Sequence, residues 1–347
     1  MTFAKANEWL TLCQKLYNAA LEQRIIIYRQ NRETISCYNQ IKQLPELRAA
    51  FPEYHDIGSQ VLQEVIERLD KAFKSFFIRV KTGGGKPGFP RFKSKERYDT
   101  FILKQSGWEL EGKYLSIRNV GKFKIRLSRP LEGDIKTVSI HRERNGNWYV
   151  CFSCDNVPER KLADSDKSVG IHMGIESFCV DSNGGREHNP AYFRSAEKKL
   201  RIRKRALSRR IKGSHGREKA RILVAKSYEK VTNQRNDFLH KLANKFIAEY
   251  GVICIQDLNI KKMEKDHILA KYIQDASWGK FFEMLAYKAE GAGRQLIKVP
   301  RFEPTNKTCS ACGAINQEIK LHERQWVCKS CGALQVMSRG LCEITLD

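Results

Sequence analysis

Four cysteines near the carboxyl end constrain the fold of this chain more than any other feature. They form two C-x-x-C pairs, Cys309 with Cys312 and Cys328 with Cys331, and fifteen residues lie between the pairs. A glycine follows each pair, which allows the chain to turn there. Two such pairs can supply the four thiolates of a tetrahedral zinc site. The sequence therefore predicts a zinc ribbon that holds a structural zinc, with no open position for water.

The charge of the chain points to a polyanionic partner. The 347 residues carry 63 Lys and Arg against 39 Asp and Glu, a formal net charge of +24. Such an excess is typical of proteins that neutralise nucleic-acid phosphates, although solubility or a charged membrane surface would also use it. No apolar run approaches the roughly 20 residues of a membrane span, and the first residues lack the apolar core of a signal peptide. We therefore expect a cytoplasmic protein whose 11 cysteines are thiols or metal ligands rather than disulfides.

Hydrophobic periodicity divides the first half of the chain into two regions. Apolar residues recur at helical spacing over residues 1–81. A segment rich in glycine, proline and basic residues follows at 82–93, after which the period becomes two. The candidate strands are 100–103, 114–117, 122–127, 137–142 and 148–154. Several short strands at this spacing suggest a small barrel.

A mixed α/β pattern follows a polar linker at 156–167. The predicted strands and helices are strands at 169–175, 178–181 and 252–255, a basic helical stretch at about 191–250, and a helix at 278–292.

Two of these strands end where a nuclease of the RNase H type would hold its metal-binding carboxylates. Residues 169–175 read V-G-I-H-M-G-I, a buried strand that enters a glycine-flanked turn. Such a nuclease would have V-G-I-D-x-G-I, so His172 occupies the Asp position. The strand at 252–255 leads into Q-D-L-N, and Gln256 occupies the second acidic position. The metal chemistry of such a nuclease is therefore in question.

The segment from Arg194 to Arg235 is predicted to be a dense basic helix pair. A solvated helical face is the simpler interpretation, but acids at i,i+4 spacing are too few to neutralise it. A nucleic-acid backbone is the better partner. A third C-x-x-C, from Cys151 to Cys154, lies in an alternating strand and lacks a second pair, so we interpret these two as ordinary strand residues.

Further motifs are distributed over nearly the whole chain. They are G-F-P-R-F-K at 88–93, L-S-R-R at 207–210, N-D-F-L-H-K-L at 236–242, D-A-S-W-G at 275–279, Y-K-A at 287–289, and P-T-N-K-T at 304–308 before the zinc ribbon. Taken together, these motifs resemble the TnpB family, which are transposon-encoded, RNA-guided DNA nucleases related to type V CRISPR effectors.

The resemblance implies a multidomain α+β fold. A helical recognition region (1–81) and a small β-barrel wedge domain (82–157) would precede a RuvC-like domain of the RNase H type that carries the basic helices (158–300). The zinc ribbon would span 301–333, and 334–347 would form a truncated end of the RuvC-like domain.

Members of this family cut DNA with three carboxylates that hold two Mg²⁺ ions. By resemblance these carboxylates fall on His172, Gln256 and Ser338, so all three acids are replaced. Asp257 is adjacent to Gln256, but neighbouring residues of a strand point to opposite faces. Because Mg²⁺ prefers oxygen ligands, His and neutral oxygens hold it poorly. We therefore expect no catalytic Mg²⁺ and no nuclease activity, with zinc as a structural metal only.

Losses confined to the metal site argue that binding is retained. The resemblance implies a transposon-type guide RNA, scaffold plus guide, that pairs with one strand of double-stranded target DNA while the protein reads a short adjacent motif. The residues expected to read that motif, each of which could instead be an ordinary surface residue, are Tyr38, Gln40, Ser59, Gln60, Gln63, Lys104 and Gln105. Those expected to contact RNA or DNA phosphates are Lys86, Arg91, Lys93, Arg201, Arg205, Arg209 and Arg210.

Without cleavage, the protein would have to act by occupying its DNA target. A complex bound at a promoter would exclude RNA polymerase from it. The leading hypothesis is an RNA-guided transcriptional repressor associated with the nucleoid in the bacterial cytoplasm. One alternative is an RNA-guided DNA endonuclease with a rearranged or weak RuvC site. Another is a transposon-derived accessory protein that binds its own element. Whether the protein is a monomer or a dimer is left open.

Overall fold

The computed structural model describes residues 2–83, 87–266, 269–301, 307–309, 311–319 and 325–336. The chain forms two compact units that meet in sequence between Pro158 and Glu159. Each unit has its own hydrophobic core.

Helices make up the first half of unit 1. They are α1 (Thr2–Asn31), α2 (Cys37–Lys42), α3 (Leu44–Ala50) and α4 (Ser59–Thr82), with a short 3₁₀ turn at Pro52–Tyr54. Helices α1 and α4 bury one apolar face each against the other, as the helical periodicity predicts. Helix α4 ends at Gly83, whose φ of +62° lies in the left-handed region that favours glycine at this position.

The strands of unit 1 form two antiparallel sheets. They are β1 (Thr100–Leu103), β2 (Trp108–Glu111), β3 (Tyr114–Ile117), β4 (Gly121–Lys124), β5 (Asp134–Arg142) and β6 (Trp148–Asp155). The strand orders are β1-β5-β6 and β2-β3-β4. The barrel prediction is therefore not confirmed, since hydrogen bonds between the described strands do not join the two sheets. Strand β2 was not predicted, and β4 ends three residues before the predicted end at 127.

One core serves both the helices and the strands of unit 1. The ring of Phe101 on β1 packs edge-on against Trp9 of α1, with ring centroids 5.5 Å apart. The same core takes in Leu115 and Ile117 of β3 and Val138 of β5. The boundary predicted between 81 and 82 therefore falls within a single compact unit.

Unit 2 is built on a five-stranded sheet with helices. Its elements are β7 (Ser168–Met173), β8 (Ser177–Asp181), β9 (Arg186–His188), α5 (Tyr192–Ser208), α6 (His215–Glu249), β10 (Val252–Gln256), α7 (Ile260–Met263), α8 (Ala270–Ala276), α9 (Trp278–Ala292) and β11 (Gln295–Val299). The strand order is β11-β10-β7-β8-β9. Strands β7, β10 and β11 are parallel, whereas β8 and β9 are antiparallel to their neighbours. The core lies between this sheet and helices α6, α8 and α9.

Unit 2 contains the predicted pair of basic helices and two strands that were not predicted. The helix pair predicted within the basic stretch at about 191–250 is α5 and α6, which are separate because the chain turns at Gly213 (φ +84°) and Ser214 then caps α6 by accepting a hydrogen bond from the N–H of Arg217. Strands β9 and β11 were not predicted. A last pair of strands, β12 (Gln325–Val327) and β13 (Leu334–Val336), forms an antiparallel hairpin beside the cysteine pairs.

Candidate functional site

His172 and Gln256, which occupy the two positions where a nuclease would have acids, lie side by side at the carboxyl ends of parallel strands. Strands β7 and β10 pair in register up to Ile171 opposite Ile255, so His172 and Gln256 occupy the next position on each strand. Ile171 and Ile255 are buried in the core of unit 2. Because side chains alternate along a strand, His172 and Gln256 project from the opposite face of the sheet. Both residues are half-buried.

The acids near this point have other partners. Asp257 pairs with Arg301, whose Nη2 lies 2.7 Å from the Asp257 Oδ2. The Arg301 Nε also donates to the main-chain oxygen of Asp257. Asp181 accepts hydrogen bonds from the N–H groups of Asn183 and Gly185 and so shapes its own turn. The third predicted position, Ser338, lies outside the described residues.

The residues at 172 and 256 do not fit a catalytic Mg²⁺ site. They offer an imidazole and a neutral amide, whereas Mg²⁺ is held in proteins by carboxylate and other hard oxygen ligands. Over the described part of the chain, the four-cysteine cluster is the one group of three or more His, Cys, Asp or Glu side chains placed to hold a metal. No catalytic step through Mg²⁺ can be derived from these residues.

A cleft of about 1060 Å³ opens at the carboxyl end of β7. Its apolar walls include Met173, Met263 and Trp278, and its charged groups include Glu176 and Arg194. A space of this size and mixed lining could take a nucleotide-sized group.

The four cysteines come together as their spacing predicts. Their sulfur atoms all lie within 4.8 Å of one another. The sulfur atoms of Cys309 and Cys331, and those of Cys312 and Cys328, are each 3.6 Å apart. Four sulfurs around a zinc at about 2.3 Å would be about 3.8 Å apart, so the cluster fits a structural zinc site.

At one of the four cysteines, Cys328, neighbouring groups favour the thiolate form that a zinc ligand needs. Hydrogen bonds from the N–H groups of Cys331 and Ser330 lower the pKa of Cys328 to about 6, against the opposing effect of burial. The Nε2 of Gln335, on β13, lies 3.2 Å from the Cys309 sulfur and donates to it. The ligand pairs were predicted from sequence, but this orienting amide was not, because only the hairpin brings it to the cluster.

The basic helices α5 and α6 present cations with different roles. Arg205, Arg209 and Arg210 are exposed, and in the described ranges no salt bridge involves their side chains. Arg201 makes only a long i,i+4 contact with Glu197, at 3.5 Å. These four arginines are free to contact phosphates, which stays a prediction.

Two other arginines of these helices stabilise the packing of α5 and α6 through hydrogen bonds. Arg217 donates through Nη1 to the main-chain oxygens of Leu207 and Arg210, at 3.0 Å each, and so caps the carboxyl end of α5. Arg203 bonds Ser227 and the main-chain oxygen of Leu223 on α6. In the sequence these two structural arginines look the same as the exposed ones, so the sequence alone did not distinguish the two groups.

The structure corrects the assignment of Gln40 as a motif reader. Gln40 is 3% exposed. Its Nε2 donates to the Ala20 main-chain oxygen and to Gln23, and its Oε1 accepts from Arg24 Nε at 2.7 Å. With its amide fully engaged inside unit 1, Gln40 stabilises the packing of α1 on α2 rather than contacting DNA.

The remaining candidates for reading the adjacent motif differ in whether their side chains are free to contact DNA. Lys104 pairs with Glu67 at 2.7 Å and with Glu64 at 3.5 Å, so its charge is already neutralised. The residues with exposed or half-exposed side chains are Tyr38, Ser59, Gln60, Gln63 and Gln105. Ser106 Oγ donates to Gln60 Oε1 at 3.3 Å, which brings the loop after β1 to the start of α4. For these five residues, DNA reading stays a prediction.

Of the phosphate-contacting candidates in unit 1, Arg91 is exposed and Lys93 half-buried. Lys86 lies outside the described residues.

Asp275, the first residue of the D-A-S-W-G motif, has a structural role that the sequence analysis did not predict. Its carboxylate is 2% exposed and accepts from the N–H groups of Phe193 and Arg194 at the start of α5. It also pairs with Arg235 of α6 at 3.3 Å. One buried acid therefore joins α5, α6 and α8.

Comparisons with known proteins agree on one family. The OrfB_IS605 family, described as a probable transposase, matches residues 151–266, and the Cas12f1-like TNB domain matches residues 278–336. A protein of Streptomyces pristinaespiralis named "Putative RNA-guided DNA endonuclease" is 32% identical over 336 residues, which are 93% of this chain and 80% of that protein. InsQ of Escherichia coli K12, with the same name, is 27% identical over 290 residues, or 79% of this chain and 70% of InsQ.

The fold has a counterpart among solved structures. A Cas12f1 chain from a cryo-EM structure of a Cas12f1, sgRNA and target DNA complex matches 96% of this chain and 80% of its own length, with a TM-score of 0.58 and 16% identity. The fold is therefore a Cas12f-like multidomain α/β fold with a four-cysteine cluster near the carboxyl end. The chain belongs to the TnpB family. In its described part, no helix is long and apolar enough to cross a membrane.

Proposed function

We propose that this chain is an RNA-guided, sequence-specific DNA-binding protein without nuclease activity. It represses transcription by occupying a promoter next to a short adjacent motif. Its partners are a transposon-type guide RNA and double-stranded DNA on the bacterial nucleoid. The names of its relatives, which are RNA-guided DNA endonucleases, support the guided binding.

Strand order supports a RuvC-like assignment for unit 2. Three antiparallel strands continue into two further parallel strands, in the order β9-β8-β7-β10-β11. We infer from this order that the sheet is of the RuvC-like, RNase H type, whose metal-binding acids would stand at the carboxyl ends of two neighbouring parallel strands. In this chain those two ends are β7 at His172 and β10 at Gln256.

The observation that carries the proposal is the pair His172 and Gln256. They stand on adjacent strands at the same level, where two carboxylates would have to converge on Mg²⁺. The nearest carboxylate in sequence, that of Asp257, is engaged by Arg301. A metal-dependent cut needs the charge of these acids, so their replacement removes cleavage while leaving the rest of the fold in place.

The exposed arginines of the basic helices support the proposal that binding is retained. Arg205, Arg209 and Arg210 remain exposed on α5 and the turn after it. A chain that had lost both cutting and binding would have no reason to keep this unneutralised charge, since it opposes folding. A bound complex that cannot cut stays in place and blocks polymerase.

The test is cleavage and occupancy by the chain purified with its own RNA. The 3′ segment of the co-purified RNA identifies the target, which is placed in a plasmid and in a reporter promoter. We expect RNA-dependent binding of the plasmid, no cleavage in Mg²⁺, and repression that disappears when the guide is mismatched. Mg²⁺-dependent cutting by the unaltered chain would overturn the proposal and support a rearranged nuclease. A guide that matches only the insertion site of its own element would indicate the accessory role.

Reversion of the acid positions sharpens the test. His172→Asp alone is expected to leave the protein inactive, because two further acids are missing. His172→Asp combined with Gln256→Glu and Ser338→Asp is the variant in which cleavage could return. The matched control is Gln295→Glu, which adds a carboxylate to the exposed edge strand β11 of the same sheet. Cleavage by His172→Asp alone would show that the positions at 256 and 338 are assigned wrongly.

A further inference from the structure

An aromatic surface lies outside the core of unit 1. Phe76 and Phe77 stand on the last turns of α4, and Phe89 and Phe92 on the loop that follows. Phe77, Phe89 and Phe92 are 51%, 48% and 51% exposed. We call these four rings the phenylalanine surface. Phe76 contacts both Phe77 and Phe89, and Phe92 lies three residues after Phe89 on the same loop. Several exposed rings on adjoining segments mark an interaction site, whereas single exposed apolar residues need no explanation.

Three of these rings, Phe76, Phe77 and Phe89, are held in place by contacts with one another and with Phe73. Phe89 packs edge-on against Phe73 and Phe76, with ring centroids 5.5 and 5.4 Å apart. Phe77 contacts Phe76 at 5.2 Å. Phe73, the innermost ring, packs on the core of unit 1 and lies under the guanidinium of Arg24. The loop is thus fastened to α4 through Phe89.

The other end of the loop is fastened to α1. The main-chain N–H of Lys93 donates to Asn18 Oδ1 at 2.8 Å, and its main-chain oxygen accepts from Gln14 and Asn18. Arg79 of α4 also donates to the Gly88 oxygen, at 3.4 Å. A surface built in this way loses little conformational freedom when it binds a partner.

The charge along the segment that carries the rings is of one sign. Residues 71–95 contain no Asp or Glu, and their basic residues are Lys71, Lys74, Arg79, Lys81, Lys86, Arg91, Lys93 and Lys95. Asp70, the acid just before this stretch, pairs with Arg24 and Lys74. In the described part of the chain no salt bridge involves Arg79, Arg91 or Lys93.

Exposed rings among uncompensated cations suit an unpaired nucleic-acid strand. Bases stack on aromatic rings while the cations neutralise the backbone, and stacking requires that the base faces are not already covered in a duplex. A second copy of this chain would bring an equally basic surface against this one, which repulsion disfavours. An RNA that stays bound throughout can cover the apolar rings at all times, whereas target DNA could do so only at its site.

We propose that the phenylalanine surface, with Arg79, Arg91 and Lys93 around it, binds unpaired bases of the RNA that the chain carries. This inference rests on the proposed function in so far as the chain carries an RNA. It adds a contact that reads no sequence and that anchors the RNA to unit 1.

The test compares stacking with charge. The variant Phe77→Ala/Phe92→Ala removes two exposed rings that the core of unit 1 does not need. The probes are an oligouridine of about 15 nucleotides and a blunt RNA duplex of the same length, both measured with the full chain freed of its RNA. We expect roughly ten- to hundredfold weaker binding of the single strand, little change for the duplex, and an unchanged salt dependence.

Matched controls separate stacking from loss of apolar area. Ile78→Ala removes a 60% exposed aliphatic side chain from the same turn of α4 and is expected to change affinity by less than about twofold. Phe77→Trp/Phe92→Tyr keeps the aromatic faces and should restore binding. Equal losses for Phe77→Ala/Phe92→Ala and for Ile78→Ala would overturn the stacking proposal.

Photocrosslinking of the assembled complex identifies the source of the bases. In the complex with RNA and target DNA, peptides from residues 71–95 should carry RNA adducts. Adducts to DNA alone, or self-association of the RNA-free chain that Phe77→Ala/Phe92→Ala abolishes, would overturn the inference. Either result leaves the proposed repressor function standing, because that function is judged by cleavage and promoter occupancy.

Discussion

Asp275 shows how much one buried side chain can organise in this fold. Its two oxygens receive the free N–H groups at the start of α5, where a negative charge also interacts favourably with the helix dipole. The same carboxylate neutralises Arg235, whose side chain is 20% exposed. Since α5 and the turn after it carry the exposed arginines, this buried acid helps to fix the position of these cations in unit 2.

Replacing this acid should destabilise unit 2. Asp275→Ala leaves the Arg235 charge without its partner and two helix N–H groups without an acceptor, at an expected cost of about 3–5 kcal/mol. The control Asp237→Ala removes an exposed acid that pairs with Lys241, and it should leave the stability of unit 2 almost unchanged. Hydrogen exchange of the α5 amides measures the loss locally, because two compact units need not unfold together. Equal protection of α5 in both variants would contradict the role of Asp275.

Gln40 shows where residue-level prediction from sequence reaches its limit. A glutamine on a short polar helix is expected at the surface, where its amide could read adenine. The packing of α2 against α1 instead turns it inward, onto Ala20 and Arg24. Nothing local in the sequence distinguishes Gln40 from Gln63, which is half-exposed. The difference comes from contacts between residues about twenty positions apart.

At the scale of elements, the four-cysteine cluster with the β12–β13 hairpin is the part most fully specified by local sequence. Each of the two C-x-x-C turns supplies two sulfur atoms to the cluster. The second turn connects β12 to β13, which pair with each other. Cys309 and Cys328 are buried and Cys312 and Cys331 are exposed, so the cluster is half open to solvent.

Zinc content tests this element directly. We expect one zinc per chain by elemental analysis, and loss of most of it in Cys312→Ser, because three thiolates hold the ion much less well than four. Cys151→Ser, an exposed cysteine on β6, is the control and should retain the full zinc content. Chelation of the metal should expose the amides of the hairpin to exchange. A full zinc content in Cys312→Ser would mean that the cluster is not the zinc site.

At the scale of the whole molecule, we expect the net charge of +24 to contribute more to the affinity for nucleic acid than any single contact. Each phosphate that a Lys or Arg neutralises releases counterions, so affinity for nucleic acid should fall steeply with salt. With six or more such contacts, RNA affinity is expected to fall about a thousandfold between about 50 and 200 mM salt.

Charge-removing variants show which cations contribute. Arg205→Ala, Arg209→Ala and Arg210→Ala together should weaken binding and reduce the slope of log affinity against log salt by up to about 3. Lys122→Ala is the control, because Glu111 already neutralises that lysine, and its slope should not change. A slope near zero for the unaltered chain would mean that its charge serves something other than phosphate binding.

The sequence by itself determined the features that depend on local spacing. These are the two cysteine pairs, the amphipathic helices α1, α4 and α9, the principal strands, the excess of positive charge, and the motifs that place the chain in the TnpB family. Only the tertiary structure decided which side chains meet. It set His172 beside Gln256, tied Asp257 to Arg301, buried Gln40 and Asp275, and left the phenylalanine surface uncovered. The reason is physical: a helix or strand follows from periodicity within a few residues, whereas burial and pairing depend on contacts between segments that are far apart in the chain.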